Sequence, residues 1–123
     1  PARAEAVVVE GVGGWLVPID ATRTMAEVAV RLRLPVVLVV GIRLGCLNHA
    51  LLTAQAIAQS GCRLAGWVAN RLGTDHDGVL EGYVAALRER LPAPLLGEIP
   101  YIGGAHVDPA VAVRYLSIDI LLV

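Results

Sequence analysis

A single carboxylate followed by a run of glycines stands near the start of the chain. Glu10 comes after three valines and before Gly11, Gly13 and Gly14. An apolar run that delivers a carboxylate to a glycine turn predicts a buried strand, ending where the backbone approaches a ligand. A carboxylate beside bare backbone amides suits a hard cation together with an anionic ligand. The alternative is a hydrated carboxylate at a strand end, or one paired with an arginine.

Two further groups of polar residues adjoin apolar segments. Asn70 ends an apolar run, and its amide can donate to and accept from a heterocycle such as adenine; the alternative is a loop-capping asparagine. Asn48 lies in the first turn of a predicted helix, where free N–H groups could hold a carboxylate or phosphate against Cys46, Leu47 and Asn48. The alternative is that Asn48 caps the helix and His49 is solvated. Packing is favoured over a nucleophilic role for the thiol, because the sequence supplies no convincing base.

The remaining sequence predicts the elements that position these residues. Apolar runs at 7–10, 36–40, 64–70 and 95–100 predict four strands, and the first two have the continuous character of central parallel strands. Thr24 and Glu27 form a capping box before the first helix. Apolar residues at helical spacing predict helices over 47–60, with Gly61 after the end, and from 80 to 91. Asp108 and Pro109 open a last helix.

Strands that alternate with helices predict the fold class, an α/β fold with a doubly wound, mostly parallel sheet in three layers. In such sheets ligands bind beyond the carboxyl ends of the strands. Glu10 and Asn70 end predicted strands, and Asn48 lies in the first turn of the helix that follows the strand at 36–40.

Composition excludes some classes of function. The formal net charge is −1 and the basic residues do not cluster, which argues against nucleic-acid binding. The longest apolar run, at 35–42, is shorter than the roughly 20 residues that span a bilayer. Two isolated cysteines favour the cytoplasm, where thiols stay reduced. The chain has no lysine and no GxxxxGK[ST] sequence, so we expect the loop that cradles phosphates to be missing from it.

Five blocks of sequence together resemble one family, dethiobiotin synthetase. They are VEGVGGW at 9–15, PVVLVVG at 35–41, LGCLNHA at 44–50, GWVAN at 66–70 and APLLGEIP at 93–100. The blocks cover nearly the whole chain and resemble the C-terminal half of that enzyme. The resemblance implies that residues 1–123 are the C-terminal portion of a single P-loop NTPase-like α/β domain.

The resemblance also implies an activity, that of an ATP-dependent cyclo-ligase of biotin biosynthesis. Such an enzyme closes the ureido ring of dethiobiotin from 7,8-diaminononanoate, CO2 and ATP with Mg²⁺. A carbamate on one amine attacks the γ-phosphate, and the second amine then displaces phosphate from the mixed anhydride. The resemblance further implies a cytoplasmic homodimer with no nucleic-acid or membrane partner. It implies no catalytic residue within this segment, which we expect to be inactive alone.

Residue roles are implied by position in the resembling blocks. Glu10 would bind Mg²⁺. The ATP-binding residues would be Glu10, Gly11, Val12, Gly13, Asn70, Arg71, Pro100, Tyr101 and Asp108. The substrate-binding residues would be Gly13, Cys46, Leu47, Asn48 and Tyr83. Of these, Tyr83 resembles a residue that reaches the substrate of the neighbouring subunit.

Two other functions stay open from the sequence. A truncated P-loop relative could serve as a dimerising scaffold or binding module, because fold does not fix function. A related amidoligase of cofactor biosynthesis would use a different acid. The block at 44–49, which has the character of a substrate site, argues against the scaffold.

Overall fold

Three parallel strands form the sheet around which the chain is built. The computed structural model describes residues 7–11, 13–75, 78–103 and 108–121. The elements are α1 (Met25–Leu32), β1 (Val36–Ile42), α2 (Cys46–Gln59), β2 (Leu64–Arg71), α3 (Val79–Arg90), β3 (Leu95–Ile99), α4 (Pro109–Val113) and a 3-10 helix (Asp119–Leu121). The strands lie in the order β1-β2-β3, and both pairings are parallel. The predicted parallel α/β architecture is confirmed.

The core lies between one face of the sheet and helices α2 and α3. Trp67 of β2 and both Val84 and Leu87 of α3 are fully enclosed there, together with Ile42 of β1. Full burial of each large apolar side chain contributes about 1.5–3 kcal/mol. Alternate residues of a strand face opposite sides, and Val39 on the other face of β1 is 61% exposed.

Helix α1 begins as its sequence predicts. The Thr24 N–H donates to Oε2 of Glu27 at 2.7 Å, so the predicted capping box is confirmed. Hydrogen bonds from the Thr24 hydroxyl and backbone hold the pKa of Glu27 below its ordinary value. The helix ends at Arg33, which adopts the left-handed conformation and donates its N–H to the Ala29 carbonyl at 3.1 Å.

The strand predicted at residues 7–10 is wrong. Val7 and Val8 are 75% and 92% exposed, and this segment joins no strand among the described residues. A strand exists only when a partner satisfies its backbone groups, and apolar composition alone does not supply one. The prediction that residues 36–40 form a central strand is also wrong within the described chain, because β1 lies at an edge of the sheet.

The last described segment closes the edge of β3. The Ser117 N–H donates to the Leu96 carbonyl at 2.7 Å, and Leu116 forms an antiparallel bridge with Gly97. Asp108 and Pro109 open α4 as predicted. Among the described helices, none combines the length and the apolar character needed to cross a membrane.

Candidate functional site

The parallel strands end together along one edge of the sheet, their carboxyl ends. Asn70 of β2 is paired with Gly41 of β1 and with Ile99 of β3. Pro100 comes directly after β3, where a residue without an N–H is tolerated. The structure therefore brings Asn70 and Pro100 onto neighbouring strand ends, with Tyr101 next in the chain.

The side chains at these two strand ends are open to a ligand. Asn70 is half-buried, and its side-chain amide has no hydrogen-bond partner within the described ranges. Tyr101 is 50% exposed. An amide can pair with the edge of a heterocycle, and a proline or aromatic ring can cover its face. This part of the edge can therefore recognise a planar base.

Helix α2 presents free amides directly after β1. Gly45 is its N-cap, with φ at 90°, a conformation that favours glycine, and it has no side chain to cap the helix. The Cys46 N–H donates to the Arg43 carbonyl at 3.0 Å. By helix geometry the next two N–H groups, those of Leu47 and Asn48, lack a partner in the helix. This turn can therefore hold an anion.

The side chains of the same turn have different surroundings. Asn48 and His49 are exposed, whereas Cys46 is only 3% exposed and belongs to the core. The alternative in which Asn48 caps the helix is wrong, because the cap position is held by Gly45 two residues before Leu47. Burial of the thiol agrees with a packing role.

The carboxylate and glycines near the start form a segment that precedes α1. Glu10 is exposed, and no hydrogen bond or ion pair of a described residue joins it to the sheet. Gly13 and Gly14 have φ of +89° and +131°, so the predicted glycine turn is present. Gly11 lies against helix α1. Val12 lies outside the described residues.

The surroundings of Glu10 limit the kind of metal site to which it could contribute. Within the described ranges, no group of three or more His, Cys, Asp or Glu side chains could hold a metal ion. Mg²⁺, however, is usually bound by one or two carboxylates plus phosphate oxygens and water. As a single exposed carboxylate without an ion pair to any residue that the structure describes, Glu10 fits that kind of site.

Arg71 organises an ion-pair network that the sequence reasoning missed. Its Nε lies 2.5 Å from Oε1 of Glu98, its Nη2 lies 2.6 Å from Oε2 of Glu81, and its Nη1 lies 3.4 Å from Oδ2 of Asp75. Burial opposes the charge, but Glu98 and Glu81 outweigh it and raise the pKa of Arg71. The sequence did contain a signal for this pairing, because Arg71 ends one strand and Glu98 lies near the end of the next.

Two predicted site residues, Tyr83 and Asp108, lie on helices rather than on strand ends. Tyr83 is half-buried on α3 and packs against the core. Asp108 is the N-cap of α4, where its Oδ1 accepts from the Ala110 N–H at 2.9 Å. No hydrogen bond of a described residue joins either side chain to Asn70 or Glu10.

Two surface clefts lie away from the carboxyl edge. One, of about 440 Å³, adjoins the amino ends of β1 and β2 and includes Pro35 and Arg63. The other, of about 250 Å³, runs along α1 and includes Glu27. Neither of these two clefts contains a residue predicted to bind ATP or substrate.

Comparison with known proteins gives a consistent set of relatives. Residues 1–106 match the model of a family described as an AAA domain. The chain is 54% identical over 110 residues to the ATP-dependent dethiobiotin synthetase BioD of Cellvibrio japonicus, covering 89% of this chain and 48% of the relative. The Janthinobacterium protein of that name is 54% identical over 118 residues, which are 96% of this chain and 49% of the relative. BioD 1 of Salmonella typhi is 48% identical over 120 residues, which are 97% of this chain and 50% of the relative. The chain thus spans about half the length of the curated relatives it matches.

Proposed function

The chain belongs to the AAA-domain family, and from that premise we propose that it forms part of an ATP-dependent dethiobiotin synthetase. The observation that carries the proposal is the identity of about half of all positions to enzymes of that name along nearly the whole chain. The carboxyl edge supports it, because the Asn70 amide near the end of β2 and the start of α2 after β1 lie at strands that end there side by side.

The proposed reaction closes a ureido ring from 7,8-diaminononanoate, CO2 and ATP. A carbamate on one amine attacks the γ-phosphate, which forms a mixed anhydride and releases ADP. The second amine then attacks the carbonyl carbon and displaces phosphate. Such chemistry depends on holding the reactants in line, so the residues of this chain act by binding and orientation.

The nucleotide would lie across the ends of β2 and β3. The Asn70 amide would read the edge of the adenine, and Pro100 and Tyr101 would flank its face. Asp108 would approach the base from α4. The glycines at 11 and 13, together with Val12, would line the crevice where the backbone must come close to the ligand.

The substrate carboxylate would bind at the start of α2. The N–H groups of Leu47 and Asn48 point out of the helix end, where the helix dipole also favours negative charge. Cys46 would shape the floor of this turn, and Gly13 would line its side. Tyr83 would reach the substrate of the neighbouring subunit, and the complete site would then lie at a homodimer interface in a cytoplasmic enzyme.

Glu10 is the residue of this chain proposed to hold Mg²⁺. When bound with ATP, the ion neutralises charge on the phosphate oxygens. Glu10 supplies one carboxylate to it, and its exposure leaves that carboxylate available.

The proposal is tested in the full-length protein that carries this chain. ATP turnover should require diaminononanoate, bicarbonate as the source of CO2, and Mg²⁺. Glu10→Gln should raise the Mg²⁺ concentration for half-maximal rate by about tenfold, the loss of roughly 1.4 kcal/mol, without changing the melting temperature. A matched exposed change, Glu89→Gln on α3, should alter neither quantity. Turnover that ignores diaminononanoate would contradict the proposed activity, and an unchanged Mg²⁺ requirement would contradict the role of Glu10.

A further inference from the structure

The guanidinium of Arg71 joins four parts of the fold. It ends β2, and its ion pairs reach Glu98 on β3, Asp75 in the following loop and Glu81 on α3. Its side chain is only 15% exposed, and those of Glu98 and Asp75 are 27% and 13% exposed. Screening by water is therefore weaker than for a surface pair, and the network can fix the geometry of the elements that it connects.

Asp75 closes the network from the other side. Its Oδ2 also accepts from the Glu81 backbone N–H at 3.1 Å, so the loop carboxylate fastens the first turn of α3. Burial raises the pKa of Asp75, but backbone donors at Leu80 and Glu81 and the Arg71 charge outweigh it and lower the pKa. The carboxylate is therefore ionised at neutral pH, as the ion pair requires.

The network lies on the opposite face of the sheet from Asn70. Neighbouring residues of a strand point to opposite sides, so Arg71 faces α3 while Asn70 faces away from it. The side chain of Leu72 lies over Gly41, since a Cβ built on that glycine would be 2.8 Å from Leu72 Cδ1. Gly41 is in turn the strand partner of Asn70. Because Asn70 and Leu72 adjoin Arg71 in the chain, ion pairs that fix Arg71 also restrict the backbone at these two residues.

The charges around Arg71 argue against a direct contact with phosphate. Three carboxylates surround one guanidinium. The cluster as a whole is negative, and it would repel a triphosphate rather than bind it. The contribution of Arg71 to ATP binding must then pass through the groups that it fixes.

We propose that Arg71 is a positioning residue for base recognition. Through Glu98 it holds the ends of β2 and β3 in register, and through Asp75 it fixes the loop after β2 against α3. It thereby sets the spacing between the Asn70 amide and the segment at Pro100 and Tyr101. This inference rests on the proposed function, because it assumes that an adenine nucleotide binds at these strand ends.

The test compares ATP with ITP, in which an oxo group replaces the adenine amino group. In the full-length protein, Arg71→Gln should raise KM for ATP about tenfold and leave kcat within about threefold. It should also lower the ratio of kcat/KM for ATP to that for ITP by about tenfold. Arg71→Lys, which keeps the charge but loses the fork of donors, should fall between wild type and Arg71→Gln.

Two further variants separate positioning from general stability. Arg90→Gln is the matched control, because Arg90 is 55% exposed on α3 and its ion pair is with the adjacent Glu89; it should change neither KM nor the nucleotide ratio. Glu98→Gln keeps the shape of the network and removes one charge, so it should lower the ratio even if Arg71→Gln folds poorly. In an Asn70→Ala background, Arg71→Gln should have little further effect on the ratio, because both act through one amide.

Each outcome decides between the interpretations. A fall in kcat for both nucleotides with an unchanged ratio in Arg71→Gln and Glu98→Gln would mean a purely structural role, and it would overturn the proposal. An equal rise in KM for ATP and ITP would mean a phosphate contact, and it would overturn it as well. If the wild-type protein does not use ATP with diaminononanoate, the proposed function itself is wrong, which is a different result from a wild-type enzyme whose nucleotide preference ignores Arg71.

Discussion

At the scale of single residues, two adjacent positions on β2 have different roles in the proposed site, one in contacting the ligand and the other in fixing the backbone. Asn70 presents an amide without a described partner, whereas the next residue, Arg71, is enclosed by carboxylates on the other face. Strand alternation makes this division possible within two residues. A ligand of the proposed site would contact the Asn70 amide without contacting the ion-pair network of Arg71 on the other face.

Gly45 is a residue whose backbone conformation decides where a site begins. Its φ of 90° is strained for any side chain, so Gly45→Ala should lower the free energy of unfolding of the full-length protein by about 1 kcal/mol. Urea unfolding followed by circular dichroism measures this change. Gly73→Ala is the control, because nothing lies within 4 Å of its Cβ position and its φ is not in the strained range. Equal effects of the two substitutions would show that the αL conformation of Gly45 carries no cost.

At the scale of elements, the start of α1 couples stability to pH. The pKa of Glu27 is lowered by the Thr24 hydroxyl and backbone N–H, so the ionised form favours the folded state. This stabilisation is complete when the pH is above 4.5, the ordinary pKa of the group. It is lost as the pH falls through the lower pKa that Glu27 has in the folded state. The melting temperature of Glu27→Gln should therefore lie below wild type at neutral pH, and the gap should narrow as pH falls below 4.5. A gap that stays constant across this range would contradict the role of the charge.

Gly97 determines whether the last described segment can close the sheet. A Cβ at this position would overlap the Tyr115 carbonyl oxygen and crowd Leu116. Gly97→Ala should therefore lower the free energy of unfolding by about 1–3 kcal/mol, as overpacking does. Gly82→Ala on α3 has open space and replaces a glycine within a helix, so it should raise stability by roughly 0.5–1 kcal/mol. Denaturant midpoints distinguish the two signs, and a neutral Gly97→Ala would mean that the segment does not pack there.

Elements defined by local signals were predictable from the sequence. The capping box at Thr24, the left-handed Gly61 after α2 and the Asp108 cap each depend on residues a few positions apart. The apolar runs of β1 and β2 were found in the same way. The exposed segment at residues 7–10 was not, because its apolar composition does not reveal whether a partner strand lies beside it.

The placement of Asn70 and Pro100 on neighbouring strand ends was predictable, but the contacts that support them were not. Their position at the carboxyl edge follows from the parallel topology alone. The pairing of Arg71 with Glu98 depends on the alignment of Ala69 with Glu98, which follows a register shift between Trp67 and Val68. Such a shift is set by packing across the whole sheet, and no pattern in either strand announces it.

At the scale of the whole molecule, the face of β1 that points away from α2 is open. Val37 and Val39 of β1 are 38% and 61% exposed, and the three valines at 7–9 are exposed as well. A strand edge with apolar side chains in water is a liability that proteins usually cover. The relatives are about twice as long as the region they share with this chain, so they contain enough further sequence to cover it.

This open face gives a prediction about the full-length protein. If its remaining sequence covers β1, Val39→Asp would bury an unpaired charge there and lower the free energy of unfolding by about 2–4 kcal/mol. Leu52→Asp is the matched control, because Leu52 is 57% exposed but lies on α2, and it should change stability by less than about 1 kcal/mol. Chemical denaturation of both variants measures the difference. Similar small effects would show that the face of β1 stays in water, and the nucleotide and substrate sites would then have to be completed from another side of the sheet.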